Sequence, residues 1–201
     1  PDVLQRVLTA QELLTLEQAR TQRIEQRIPV PYITSQAWFC GLPFYVDRRV
    51  LIPRSPLGEL IEDGFYPWLQ KEPVRILDLC CGSACIGIAC ALAFPEAVVD
   101  VADISVDALA VAAINIAQHR VQQRVQTVAS DLFSGLQRQR YDLIVCNPPY
   151  VDADDMNNLP DEYRHEPELA LASGVDGLDF TRRLLREART FLTEEGVLIV
   201  E

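Results

Sequence analysis

Arg75-Ile76-Leu77-Asp78-Leu79-Cys80-Cys81-Gly82-Ser83-Ala84-Cys85-Ile86-Gly87 is the stretch on which the fold turns. Arg75 to Leu79 reads as a short buried strand, and Ile86 to Phe94 as an apolar helix. The small residues between them form a tight turn, so backbone N–H groups can approach a ligand there. The N-terminus of the following helix adds partial positive charge for a carboxylate or phosphate. Gly82-x-Ala84-x-x-Gly87, with Asp103 close to the ~20-residue offset of a ribose-binding acid, is near a dinucleotide fingerprint. The same spacing also suits a strand-to-helix turn that holds nothing.

Downstream the rhythm repeats. Val98 to Ala102 reads as a second strand ending in Asp103, and Ser105 caps a helix whose Leu109, Ala112, Ala113 and Ile116 share a face. Val125 to Ala129 and Tyr141 to Cys146 are the third and fourth strands. A long loop over 151–174 leads to a helix through Leu178, Leu184, Leu185 and Phe191, then a fifth strand, Gly196 to Val200. Strands alternating with helices predict an α/β, Rossmann-like fold: a doubly wound, mainly parallel sheet with right-handed crossovers. A sheet ending at Glu201 would leave an edge unpaired, so the expectation is that C-terminal strands are missing from this chain.

Upstream, residues 1 to about 28 read as helical, with capping-box spacing at Thr9-Ala10-Gln11-Glu12 and Leu13, Leu16, Ile24 and Ile28 recurring among polar residues, and Pro29 and Pro31 end that region. Trp38 to Ile52 suggests a two-stranded ribbon turning at the polar Val46-Asp47-Arg48-Arg49-Val50, and Leu57 starts a linker helix. The organisation expected is 1–30 helical and substrate-recognising, 31–72 ribbon and linker helix, and 73–201 the α/β domain.

The 201 residues suit one well-cored domain with a small appendage. No run approaches the ~18 uncharged apolar residues of a membrane span, and no basic-then-apolar signal pattern opens the chain; a cytoplasmic protein is expected. The six cysteines form no Cys-x-x-Cys pair and only two histidines exist, so they read as small buried hydrophobes, with no metal site. A net charge of −11 opposes broad attraction to nucleic-acid phosphates and fits a basic protein partner, or simply solubility.

The chemistry gathers where the strands end. Asp78 precedes the first turn, Asp103 follows strand two, Ser130-Asp131-Leu132-Phe133 follows strand three, and Asn147-Pro148-Pro149-Tyr150 follows strand four. Two prolines cannot continue a ladder, so that strand must stop at the edge where open α/β sheets place ligands. The residue delivered there is an asparagine, whose amide donates and accepts at once. The prolines leave carbonyls without neighbouring N–H groups, so the turn suits a planar NH2 group, either an amide or an amino-substituted base.

With these motifs the chain resembles, over nearly its whole length, the protein-glutamine N(5)-methyltransferases, S-adenosylmethionine-dependent enzymes of class I. The resemblance implies that Cys80, Cys81, Gly82, Ser83 and Ala84, with Asp78 before them, face the methionine part of S-adenosylmethionine. It implies that Asp103 holds the ribose hydroxyls, that Asp131 with Leu132 contacts the adenine and that Asn147 borders the cofactor as well; alternatively, Asp103 or Asp131 would only cap a following helix. Ala84 stands where glycine is usual in this family, and its methyl narrows the approach. Ala37 to Leu42, Leu51 to Ile61 with Arg54-Ser55-Pro56, and Leu159 to Glu168 resemble the branch acting on ribosomal protein uL3 more than the branch acting on release factors.

For the reaction, the Asn147 oxygen and the Pro148 carbonyl are expected to accept the two N–H bonds of the glutamine amide, with Tyr150 packing on its plane. Pro149, Arg54 and Glu166 are further substrate-side candidates, although Arg164 and Glu166 equally suit a solvated ion pair, and His165 a structural role. Three other readings compete. A nucleic-acid amino methyltransferase would bring a basic, aromatic-rich surface, a nicotinamide-dependent oxidoreductase would leave Asn147 and Asp131 without a task, and a non-catalytic cofactor-binding module is suggested by Ala84 and by the missing C-terminal sheet edge.

Overall fold

A computed structural model describes residues 6–137 and 139–201. Five parallel strands form its main sheet: β3 (Arg75–Leu79), β4 (Val98–Asp103), β5 (Val125–Ala129), β6 (Tyr141–Cys146) and β7 (Leu192–Val200). Their spatial order is β5-β4-β3-β6-β7. The chain builds outward from β3 to β5, then returns to add β6 on the other side of β3. Strand order therefore reverses between β3 and β6, and their carboxyl ends open the crevice in which such sheets bind ligands.

The apolar runs make these strands because both faces are covered. Ile76, Leu77, Leu79, Val99, Val101, Leu143, Ile144 and Val145 are all buried, as a parallel sheet sandwiched by helices requires. On one face the expected linker helix, α3 (Leu57–Glu62), shares a core with α4 (Cys85–Ala93), which packs almost wholly buried. Helix α4 lies so close to the sheet that a Cβ on Gly87 would stand 2.5 Å from Val101 Cγ1 and 2.9 Å from Asp78 Oδ2. Glycine is needed there for helix and sheet to meet. The helix α5 (Val106–Gln118) starts where Ser105 Oγ accepts the Ala108 N–H at 3.2 Å. On the opposite face α7 (Asp179–Glu187) seats Leu184 in a second core with Leu77, Ile144 and Leu192.

The amino-terminal elements follow the sequence with three corrections. Helix α1 (Ala10–Ile24) is shorter than expected: the capping box between Thr9 and Glu12 fixes its start, so residues 6–9 precede it, and it ends before residues 25–28; the part of the predicted helical region before residue 6 lies outside the described residues. Pro29 and Pro31 do not merely end that region. They open a short second helix, α2 (Val30–Thr34), because proline fits a helix's first turn. The ribbon pairs β1 (Gln36–Phe39) with β2 (Leu42–Tyr45), turning at Cys40-Gly41 rather than at 46–50. Both turn residues have left-handed φ, 47° and 69°, which matches the twist of a tight hairpin. Asp47, Arg48 and Arg49 instead lie in the exit from the ribbon, with Arg49 donating to Asp47.

Between β6 and α7 the long loop is not formless. It holds α6 (Ala153–Asn158), two 3-10 turns at Asp161–His165 and Glu168–Ala170, and a parallel bridge between Val151 and Ala172. Among the described residues, β7 pairs within the main sheet with β6 alone. No helix among the described residues is long and apolar enough to cross a membrane.

Candidate active site

At the carboxyl ends of β3, β4, β5 and β6 the sheet opens into a cavity of about 350 Å³. Cys80, Gly82, Asp103, Asp131, Leu132, Asn147 and Pro149 of the sequence-predicted set line it. The loop after β3 reaches it through two left-handed positions, Cys80 at φ 58° and Gly82 at φ 51°, and a Cβ on Gly82 would meet nothing within 4 Å. That turn is held from behind. Asn115, fully buried on α5, donates to the carbonyls of Ser83 at 2.9 Å and Tyr45 at 3.0 Å, and accepts the Tyr45 N–H at 2.7 Å. One amide thus joins the ribbon to the cavity floor.

Asp103 ends β4 with its carboxylate at the cavity wall. Oδ2 accepts the Gly82 N–H and Oδ1 the Ser105 N–H, each at 2.9 Å. Burial raises its pKa, and these backbone donors partly offset the rise. An ionised carboxylate has about four acceptor positions, so roughly two remain for donors from a ligand. Of the cations in the wall, Arg49 is tied to Asp47 and Arg183 to Asp131, which leaves Asp103 as the carboxylate without a cationic partner among the described residues.

After β5, Ser130 Oγ donates to the Leu132 carbonyl at 2.6 Å and accepts the Gly135 N–H at 2.9 Å, which sets a tight turn with Leu132 at φ 50°. After β6, Asn147 faces the cavity with a side-chain amide that no described residue engages. The segment beyond it is pinned, because Val151 N–H donates to the Leu171 carbonyl at 2.8 Å and Ser173 N–H to that of Val151 at 2.9 Å. Gly177 packs so tightly on Tyr150 that a Cβ would stand 2.3 Å from its carbonyl oxygen.

Other expected residues stand elsewhere. Asp78 lies beneath the turn, fully buried, its Oδ2 accepting the Gly87 N–H at 2.8 Å and its Oδ1 unpartnered among the described residues. Desolvation pushes its pKa up to about 7 against the pull of that N–H. Cys81, Ser83 and Ala84 shape the turn from inside; Ala84 holds the left-handed conformation at φ 61° that glycine would adopt without strain. Pro148 is buried and Tyr150 exposed, and neither is among the residues that line the cavity.

Arg54 and Glu166 are committed to each other. Both Glu166 oxygens accept from Arg54 Nη1, at 2.9 and 3.1 Å, and Oε2 also accepts the Ile52 N–H at 3.1 Å. The Arg54 guanidinium lies 5.0 Å from the centre of the Tyr163 ring. Arg164 does not meet Glu166; it pairs with Asp161 on the surface. The His165 ring contacts the Gln26 carbonyl at 2.9 Å, while Arg23 and Arg27 both pair with Glu162, so the end of α1 rests on this loop. Cys81, Cys85, Cys90 and Cys146 are buried thiols whose pKa values burial raises, and no cluster of three or more metal-ligating residues occurs among the described residues.

Sequence reasoning missed Arg49, Phe180, Arg183 and Asn115. Asn115 was findable as a lone amide on the apolar stripe of α5. Phe180 and Arg183 were not, because their helix carries arginines at 182, 183 and 186, and only packing decides which one faces the cavity.

A parallel sheet of this order, with a glycine turn after its first strand and acidic residues after the next two, is the Rossmann-like fold of class I S-adenosylmethionine-dependent methyltransferases. Three comparisons agree. A family model described as "Methyltransferase small domain" matches residues 65–162. Coclaurine N-methyltransferase, solved with N-methylheliamine and SAH, shares the fold at a TM-score of 0.52 and 13% identity, over 99% of this chain and 53% of that one. The ribosomal protein uL3 glutamine methyltransferase of Francisella tularensis is 50% identical over 98% of this chain and 63% of its own length. Its namesake from Bordetella pertussis is 47% identical over 100% of this chain and 70% of its own. The chain belongs to the family of ribosomal protein uL3 glutamine methyltransferases, and spans about two thirds of the length of these relatives.

Proposed function

We propose that the protein methylates the side-chain amide nitrogen of a glutamine in ribosomal protein uL3, with S-adenosylmethionine as methyl donor. The observation that carries this reading is Asn147: an amide left unengaged in the wall of a cavity whose lining also presents free acceptor capacity on Asp103. The names of the two relatives point to the same substrate. Action on a ribosomal protein would occur in the cytoplasm.

The residues suit the donor. Asp103 would accept from the vicinal ribose hydroxyls, Asp131 and Leu132 would meet the base, and the backbone from Cys80 to Ala84 would face the amino-acid part, with Asp78 supporting that turn from below. When bound, the donor supplies an electrophilic methyl group on a positively charged sulfur.

A carboxamide nitrogen is a poor nucleophile, since its lone pair is delocalised into the carbonyl. Asn147 Oδ1 and the Pro148 carbonyl would accept its two N–H bonds and hold it in one orientation. Those bonds strengthen as the nitrogen gains positive character, so they lower the barrier rather than only tightening binding. The proton leaves to water after transfer. Pro149 would line the amide's entry and Tyr150 would cover it from the rim. The helical segment before residue 30 is assigned to substrate recognition, and Arg54 and Glu166 support the substrate side through their mutual contact.

The direct test is transfer of labelled methyl from S-adenosylmethionine to purified uL3, to a release factor and to RNA, with mass spectrometry of the product. Label on a glutamine of uL3 is expected. Label confined to a release factor or to RNA would assign a different substrate.

A further inference from the structure

Helix α7 forms one wall of the cavity through Asp179, Phe180 and Arg183. Leu184 is fully buried beneath it and Ser173 Oγ accepts the Phe180 N–H at 3.1 Å, so its rotation and its first turn are both fixed. That rotation turns Phe180 and Arg183, three residues apart on one face, toward the cavity. Arg183 Nη2 donates to both carboxylate oxygens of Asp131 at 3.1 Å. The two side chains are 48% and 47% exposed, and an ion pair so open to water adds little to fold stability. Its effect falls on the cavity instead. Ser130 already sets the backbone around Asp131 through the Leu132 carbonyl and the Gly135 N–H. What stays free is the orientation of the Asp131 carboxylate, and Arg183 holds it.

We infer that Arg183 is a positioning residue that makes the cavity select an amino-substituted nucleobase, by fixing the acceptor Asp131. The inference rests on reading the cavity as the S-adenosylmethionine site. A carboxylate only accepts, so one held in place welcomes an exocyclic amine and repels a carbonyl at the same position. Left to rotate in water, it would discriminate less. Phe180 supplies apolar wall beside it and leaves the choice of base to the charged pair.

Calorimetry on the full-length protein would use S-adenosylhomocysteine and S-inosylhomocysteine, whose base carries a carbonyl in place of the amino group. The wild type is expected to prefer the adenosyl compound by ~10-fold or more, and Arg183→Gln to weaken that compound about threefold to fivefold while leaving the inosyl compound nearly unchanged. Arg183→Lys should restore part of the preference, since it returns the charge without the planar fork. If Arg183→Gln weakens both compounds equally, or neither, the inference is overturned while the cofactor reading stands. If the wild type binds neither compound, the cofactor reading fails and takes the inference with it.

Discussion

Asn147 and Asp78 are both polar residues at the ends of buried strands, yet the structure treats them in opposite ways. Asn147 stands in the cavity wall with its amide free of described partners, so its removal should leave the fold alone. For Asn147→Ala, turnover is expected to fall by roughly two to three orders of magnitude, the loss seen when a transition-state hydrogen-bond partner is deleted, with S-adenosylhomocysteine affinity retained. Single-turnover rates beside calorimetry would check this, and unchanged turnover would remove Asn147 from the reaction. Asp78 is walled in, and burial lifts its pKa from the ordinary 3.8 to about 7. Between those values the folded chain keeps a proton that the unfolded chain has released. The contribution of Asp78 to stability is therefore greatest on the acid side, and it declines as pH rises from about 4 to about 7, by an amount on the order of a few kcal/mol. Asparagine at this site can still accept the Gly87 N–H and does not titrate. Denaturant unfolding of wild type and Asp78→Asn across that range should show the wild type losing ground to the variant as pH rises; a constant difference would contradict the assignment.

Among the elements, the ribbon exit and the loop after β6 both line the cavity, through Arg49, Val50 and Leu51 and through Pro167, Leu169 and Ala170. Glu166 joins them. Its buried carboxylate takes the Ile52 N–H and the Arg54 guanidinium, which lie 114 and 112 residues away in sequence. Glu166→Gln keeps the shape and one acceptor but loses the charge. It is expected to cost about 1–3 kcal/mol, because Arg54 is partly open to water and can recover some solvation. The same change should lower kcat/KM for the protein substrate more than it lowers cofactor affinity, since the cofactor end is held by Asn115, Asp103 and Ser130 instead. Equal losses at both ends would show that Glu166 serves only general stability.

Over the whole molecule, the legible and the hidden parts divide along one line. The main-sheet strands were readable because parallel strands buried on both faces must be short unbroken apolar runs, and Arg75 to Leu79 and Tyr141 to Cys146 fall where that pattern puts them. Thr9 and Ser105 marked helix starts because capping is a contact between residues three apart. The ribbon turn is not legible in the sequence because Cys40-Gly41 carries little polar signal, whereas Asp47 to Arg49 read as a turn and form a charged exit. Substrate-side roles were assigned to Arg54 and Glu166 as separate candidates, because nothing local reveals that two segments more than a hundred residues apart will meet.

The sequence by itself determined the alternation of strands and helices, the acidic residues and the asparagine at the strand ends, and through them the family. Those are properties of neighbours along the chain, set by periodicity, proline geometry and caps. Tertiary structure alone decided that strand order reverses between β3 and β6, that Asp78 sits under the cavity while Asp103 and Asp131 face it, and that Arg183 is the α7 arginine aimed at Asp131. Each of these depends on which surfaces pack together, since burial and the rotation of a helix are fixed by contacts that local sequence does not encode.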